Sequence, residues 1–281
     1  MKQKIFLCIF YFTCFNAKAQ VKSYESIPQQ TWSLTEVMYH DVVNPPAASR
    51  FYAYAMYAGY EILTQLEQTA TGIRQKIKTP FTIKSPESPV SVDKKLAVLY
   101  GILETGKGII PSGYLLEEKQ EELVKSWKQK LEPVIVDASI HFAKNIALQV
   151  ITWAKSDGYF QLSTRARYTP SSADSSWRPT APEYMLAVEP HWRTIRTFFL
   201  DTVSQFRPAK PVSFSKDSNS YFMQMVREVY RTGRELSDEQ KLIANFWDCN
   251  PFAVQFQGHM SIGLKKISPG GHWMGITGIV A

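Results

Sequence analysis

Cysteine is nearly absent from this 281-residue chain. There are three, and Cys8 and Cys14 fall in an N-terminal segment read below as removable. Cys249 is then left alone, which excludes an intrachain disulfide and a cysteine-based zinc site. A strong charge imbalance is lacking too. The formal net charge is +7 and no basic run interleaves with aromatics, so nucleic acid is not an expected partner. Beyond the N-terminus no segment reaches ~18 uninterrupted apolar residues, so no transmembrane segment is expected. Alternating strand patterns of useful length and internal repeats are missing as well.

The N-terminus has the pattern of an export signal. Lys2 and Lys4 precede the apolar run IFLCIFYFTCF, and Ala17-Lys18-Ala19 follows as a small-x-small cleavage pattern. The run is too short for a bilayer-spanning helix of ~20 residues. Residues 1–19 therefore read as a signal peptide, with residues 20–281 forming the mature part and an exported location, periplasmic or secreted. The competing readings are a buried N-terminal helix, and a lipoprotein anchored at Cys14, whose preceding Phe12-Thr13 lacks the usual small residues. Cleavage removes Lys2, Lys4 and Lys18 and no acid, lowering the charge by three.

The remainder reads as helical almost throughout. Ser33-x-x-Glu36 has the form of a capping box opening a helix that ends at Asn44-Pro45-Pro46. A helix over 47–67 is apolar on most sides and so belongs at the centre of its bundle. Further helices are expected over 92–107, 112–132, 133–155, 217–232 and 251–265, and Ser237-x-x-Gln240 marks another capping box. Residues 157–190 are rich in Ser, Thr, Pro, Arg and aromatics, and read as a loop packed on the protein. The last residues, GGHWMGITGIVA, place Trp273, Ile276 and Val280 at the spacing of one apolar helix face. No Gly or Asn cap and no basic last turn follows them. The expectation is an all-α helical bundle, incomplete at its C-terminus, with that face exposed and C-terminal helices elsewhere as its packing partner.

Several segments together are similar to one family. LTEVMYHDVVNPPAASRFYAYAMYAGYE, WRPTAPEYMLAVEPHW, LDTVSQFRPAKP and FWDCNPFAVQFQGHMSIGLKKISPGGHWMGITGI resemble an exported bacterial branch of the vanadium-dependent haloperoxidase and type 2 phosphatidic acid phosphatase superfamily. The resemblance covers residues 30–281. It implies an all-α bundle of which these helices are the supporting N-terminal portion, vanadate or phosphate as the bound group, and a small-molecule anion as ligand in a full-length relative. The activities implied are phosphate-ester hydrolysis or vanadate-dependent halide oxidation.

The chemistry of that superfamily rests on Lys-x6-Arg-Pro, Pro-Ser-Gly-His and Ser-Arg-x5-His-x3-Asp. A tetrahedral oxyanion needs a lysine and two arginines for neutralisation, with backbone N–H groups around it. One histidine then attacks or ligates and another serves as acid. Here Arg178-Pro179 and Arg207-Pro208 follow Ser171 and Leu200 at the lysine position. Pro111-Ser112-Gly113 runs into Tyr114, Ser49-Arg50 has no histidine in place, and Pro269-Gly270-Gly271-His272 only resembles the second motif. No catalytic residue is assigned, and no vanadate is expected on this chain alone. The competing reading is a non-catalytic exported binding or scaffold protein using the aromatic loop.

Seven residues remain as possible pocket-lining groups: His40, Asp41, Arg50, His191, Trp192, His259 and His272. His40 and Asp41, adjacent on a helix, should diverge by about 100° and not pair with each other. Arg50 near a helix N-terminus suits an anion, or an ion pair with Asp41 or another acid. His191-Trp192 closes the aromatic loop. His259 and His272 have no carboxylate at fixed spacing, so no metal site is assigned. Asp248 and Asn250 read as caps for the next helix, and Gly270-Gly271 as a helix entry.

Overall fold

The computed structural model describes residues 26–68, 72–79, 81–87, 91–181, 184–250, 253–257, 260–264 and 266–280. The proposed signal peptide and His259 lie outside these residues. Nine helices are described: α1 (Ile27–His40), α2 (Pro45–Glu67), α3 (Gly72–Lys76), α4 (Lys94–Ile109), α5 (Glu117–Trp127), α6 (Pro133–Lys155), α7 (Tyr221–Arg234), α8 (Asp238–Trp247) and α9 (Pro269–Val280). Between α8 and α9 lies one antiparallel hairpin, β1 (Ala253–Gln257) and β2 (Met260–Leu264), with Gln255 opposite Ile262. The fold class is all-α.

α2, α4 and α6 form the centre, with α4 packed against both others. From Leu96 to Leu103 every residue of α4 is buried, the signature of a helix with neighbours on all sides. Two glycines permit the close approach of α2 and α4. A Cβ on Gly101 would meet Ile62, and one on Gly59 would meet Ile102 at 2.9 Å. α1 closes one side through Leu34, which sits over Gly106. α6 is long and apolar enough to cross a membrane by length and composition. Val136, Phe142, Ala143, Ile146 and Val150 nonetheless bury one face of it in the core, which fits a central helix of a bundle.

Local chemistry sets the boundaries. Ser26 caps α1 by accepting from the Gln29 N–H at 3.3 Å, and Pro28 stands in its first turn. The helix thus begins before Ser33, whose hydroxyl donates instead to the Gln29 carbonyl at 3.2 Å; the expected start at Ser33 is corrected. Asn44 caps α2 at the Ala47 N–H, 2.9 Å, and Asp93 caps α4 at Leu96, 2.8 Å. The Ser237/Gln240 capping box forms with both of its bonds. The helix expected over 112–132 splits into a 3-10 turn (Gly113–Leu116) and α5.

Two expectations fail more deeply. Residues expected to extend a helix over 251–265 form the hairpin, whose AVQFQ and MSIGL strands are five residues each. The 157–190 loop is irregular as expected, but it is packed on the body only in part: Tyr159 lies against the core, while Tyr168, Trp177 and Tyr184 are exposed. Tyr168 and Trp177 contact each other instead, with centroids 6.0 Å apart.

α9 docks on α1 and α2 by its small side chains. A Cβ on Gly271 would meet Ile267 at 2.7 Å and the Tyr52 hydroxyl at 3.0 Å, and one on Gly278 would meet Pro28 at 3.0 Å. Met274, between them on the same face, packs against the core. Trp273 and Val280 are therefore turned outward, at 68% and 81% exposure, with Ile276 half-buried. α7 and α8 bury no residue at all.

Candidate functional site

The seven candidates separate into distinct places. Arg50 and Trp192 line one cavity of about 600 Å³ together with Asp157, Arg193 and Arg196. Its charged floor is built from α2, the end of α6 and the chain after it. Arg50 Nε donates to Asp157 Oδ2 at 2.6 Å, and both side chains are almost wholly buried. Arg50 Nη2 donates to the Ala154 carbonyl at 2.8 Å. The same Asp157 oxygen accepts from the Tyr54 hydroxyl at 3.1 Å, and Oδ1 accepts from the Tyr159 N–H at 2.9 Å.

Arg196 completes the network. It donates to the Tyr54 oxygen at 3.0 Å, the Trp153 carbonyl at 2.6 Å and Ser156 Oγ at 3.0 Å. Its guanidinium lies 4.3 Å from the Trp153 ring centroid. Arg50 Nη1 has no hydrogen-bond acceptor, but the guanidinium carbon is 4.4 Å from the Tyr159 ring and 5.0 Å from Tyr54. Their π faces take up part of the buried charge. Burial, and then the Asp157 carboxylate, push the Tyr54 hydroxyl up to about 12, so it remains a neutral donor.

Arg50 is thus satisfied by an acid, the second of the two alternatives its position allowed. This network fastens the loop after α6 to the bundle. Further out, Glu189 accepts from Asn44 Nδ2 at 2.7 Å and so adds a second fastening, while the His191 Nε2, 2.7 Å from the Ala166 carbonyl, ties the loop to itself. Trp192 stands edge-on to Tyr159, with centroids 6.2 Å apart.

His40 and Asp41 form a third place, and here the sequence reading is corrected. His40 Nδ1 and Asp41 Oδ1 are 3.0 Å apart. The helix ends at His40, and Asp41 is its C-cap, so the divergence of residues within a regular helix does not apply. Asp41 Oδ2 also accepts from the Ser112 N–H at 2.9 Å. Burial works to raise this carboxyl, but the bonds from Ser112 and His40 outweigh it and hold Asp41 below the ordinary carboxylate range.

His272 lies in the first turns of α9 on a different cavity, of about 640 Å³, beside Trp247, Cys249, Pro45 and Pro46. Asp248 is the C-cap of α8, and a strand rather than a helix follows Asn250, so neither caps a next helix, contrary to expectation. Asp248 instead pairs with Lys266 and accepts from the Asn250 N–H at 3.0 Å. The Lys266 bond is the main cause holding the Asp248 carboxyl below its usual range. Gly270 and Gly271 do enter a helix. His259 lies outside the described residues, so its relation to His272 is not drawn.

Asp157, Tyr54 and Arg196 were not singled out from sequence. Asp157 lies 107 residues from Arg50, and the signal that pointed toward them was only the arginine-rich, aromatic character of the loop. Among the described residues no group of three or more His, Cys, Asp or Glu could hold a metal ion.

No family model matches the chain, and no curated protein matches it. Comparison of structures does find a likeness. The fold is that of a helical haloperoxidase: the chain superposes, with probability 1.00 and a TM-score of 0.78, on the crystal structure of the first bacterial vanadium-dependent iodoperoxidase. Sequence identity is 34%, over 88% of this chain and 58% of that one. This chain's fold is that of the vanadium haloperoxidase and PAP2-like superfamily, and the chain spans less than three fifths of that relative's length.

The superfamily implies vanadate, and the described residues can be tested against it. An oxyanion of that charge needs several cations with donors to spare. The buried guanidinium of Arg50 spends Nε and Nη2 on Asp157 and Ala154 and keeps only Nη1 without an acceptor, and Arg196 is committed to Tyr54, Trp153 and Ser156. Arg74 is committed to the buried Glu61. Arg193, at the edge of the cavity, is exposed. These groups do not make a vanadate cradle, and no chemical step is derived through one.

Proposed function

We propose that this chain is the supporting helical portion of an exported haloperoxidase- or acid-phosphatase-like protein. In this reading the bundle supplies the wall of the molecule. The anion-binding lysine, arginines and histidines, absent as motifs from the 281 residues, belong to further C-terminal helices that pack on it. The observation that carries the reading is the 34% identity over 88% of the chain with a vanadium-dependent iodoperoxidase of which only 58% is matched. The outward Trp273 and Val280 and the uncovered α7 and α8 support a missing packing partner. Halide oxidation and phosphate-ester hydrolysis share one kind of anion pocket, so the likeness supports a small anion as ligand without favouring either reaction.

Purified chain given vanadate, peroxide and iodide or bromide is expected to show no halide oxidation, and no hydrolysis of an aryl phosphate. Turnover that copurifies with the chain and exceeds a mock preparation would defeat the proposal. Fusing or mixing the chain with the C-terminal half of a related haloperoxidase tests the packing role. Co-elution of the two as one species is the expected result, and two independent peaks argue against it.

A further inference from the structure

The cavity beside α9 carries chemistry that the haloperoxidase reading does not use. Cys249 Sγ lies 2.9 Å from His272 Nδ1. The imidazole is held in place by stacking on Trp247, with ring centroids 5.1 Å apart and planes 5° apart. Its backbone is fixed in the first turns of α9, where the His272 N–H donates to the Ser268 carbonyl at 3.0 Å. Cys249 is half-buried, and the pair faces a cavity of about 640 Å³ whose walls include Pro45, Pro46, Val188, Trp273 and Ile276.

A thiol hydrogen-bonded to a nitrogen base, with the base oriented by a third group, is the arrangement that activates a sulfur nucleophile. The helix end adds to this, since the N-terminal turn of α9 carries partial positive charge that favours a thiolate close by. Among the described residues, Asp248 is the one other titratable group lining the cavity, and it is paired with Lys266. The remaining lining residues do not titrate.

We propose that Cys249 and His272 form a reactive thiol–imidazole site that takes small disulfides with an apolar or aromatic body. The Cys249 Sγ proton passes to His272 Nδ1. The thiolate attacks one sulfur of the disulfide, the S–S bond breaks, and a mixed disulfide forms on Cys249. The departing thiolate leaves with the imidazolium proton as a free thiol. Cys249 is oxidised and half of the disulfide is reduced, so no other oxidant is needed. Trp273, Ile276 and the two prolines bound the space in which the apolar body rests. The inference rests on this pair and its cavity as the chain presents them, with Trp273 uncovered.

The test is the rate at which the full chain reacts with 5,5′-dithiobis(2-nitrobenzoate) near pH 6, read as released thiol. Cys249→Ser subtracts the contribution of Cys8 and Cys14. The folded chain is expected to react at Cys249 about tenfold faster than the same chain in urea, because only the folded chain holds the imidazole where it can take the thiol proton during attack. His272→Gln should remove about tenfold of that rate while the helical circular dichroism is kept. Peptide mass analysis should place one adduct on Cys249. A folded chain reacting no faster than the unfolded one overturns the proposal. So does a rate unaffected by His272→Gln in a folded variant. If that variant does not fold, the folded-to-urea ratio decides alone.

Discussion

Removing the Arg50 guanidinium would strand the Asp157 carboxylate at the end of α6 with only neutral donors around it. Both side chains are nearly inaccessible, and breaking a buried pair costs about 3–5 kcal/mol because one charge is left uncompensated. Arg50→Met is therefore expected to lower unfolding stability by that order in urea titration, with the loop that follows Asp157 exchanging its amide hydrogens faster. A loss below about 1 kcal/mol would show that the pair is not the fastening described. Asp41 makes a prediction of the opposite chemical kind. Its folded carboxyl is held below the ordinary range by Ser112 and His40. The stability it adds is thus present above the ordinary carboxyl value, and is lost as pH falls through the lower folded one. Asp41→Asn should lessen the fall in stability between about pH 5 and pH 2, while lowering stability at pH 7. An unchanged pH profile in the variant would contradict the assignment. Arg50 was recognisable in the sequence as a charge on a core-facing helix. Its partner was not, since no local pattern ties residues 107 apart.

α9 is legible in position and in the side it leaves uncovered, Trp273 and Val280 facing outward as expected, but not in the side by which it docks. Trp273, Ile276 and Val280 have the spacing of a buried stripe, yet the helix meets the bundle through Gly271, Met274 and Gly278. Glycine carries no hydrophobic signal, but it sets how close two backbones can come, so a scale of apolarity does not reveal the docking side. Gly271→Val is expected to lift α9 from α1 and α2, since its side chain would enter space already occupied by Ile267 and Tyr52. Overpacking of this kind costs about 1–3 kcal/mol. Hydrogen exchange should show the loss concentrated in α9, with α4 and α6 still protected. Uniform loss across all helices would contradict a local docking role. α6 was legible in both limits, because Pro133 fits the first turn and apolar residues run to Lys155. The hairpin was not, because five-residue strands next to a proline leave too few alternations to separate period 2 from helix. The candidate site was legible residue by residue, but not in its groupings: Arg50 joins Trp192, His272 joins Cys249, and His40 joins Asp41.

Across the molecule, burial is uneven. The core is assembled before Asp157, while α7 and α8 bury nothing and carry large apolar side chains outward. Val229, Phe246 and Val280 are more than 70% exposed. Each large side chain left in water forgoes about 1.5–3 kcal/mol of burial. The isolated chain is therefore expected to bind a hydrophobic dye while folded and to self-associate in sedimentation. A dye-silent, monomeric chain at high concentration would remove the argument for an absent packing partner. α9 is placed between two demands, with glycines facing the bundle and Trp273 and Val280 facing away. A partner covering that outer side would bind the folded chain and not the unfolded one, so mass action would join the stability of this element to concentration. Its melting midpoint should rise as the chain is concentrated, and rise further when a fitting helical partner is added. Stability here then belongs to an equilibrium between molecules, and one number measured at one dilution would describe the solution more than the chain.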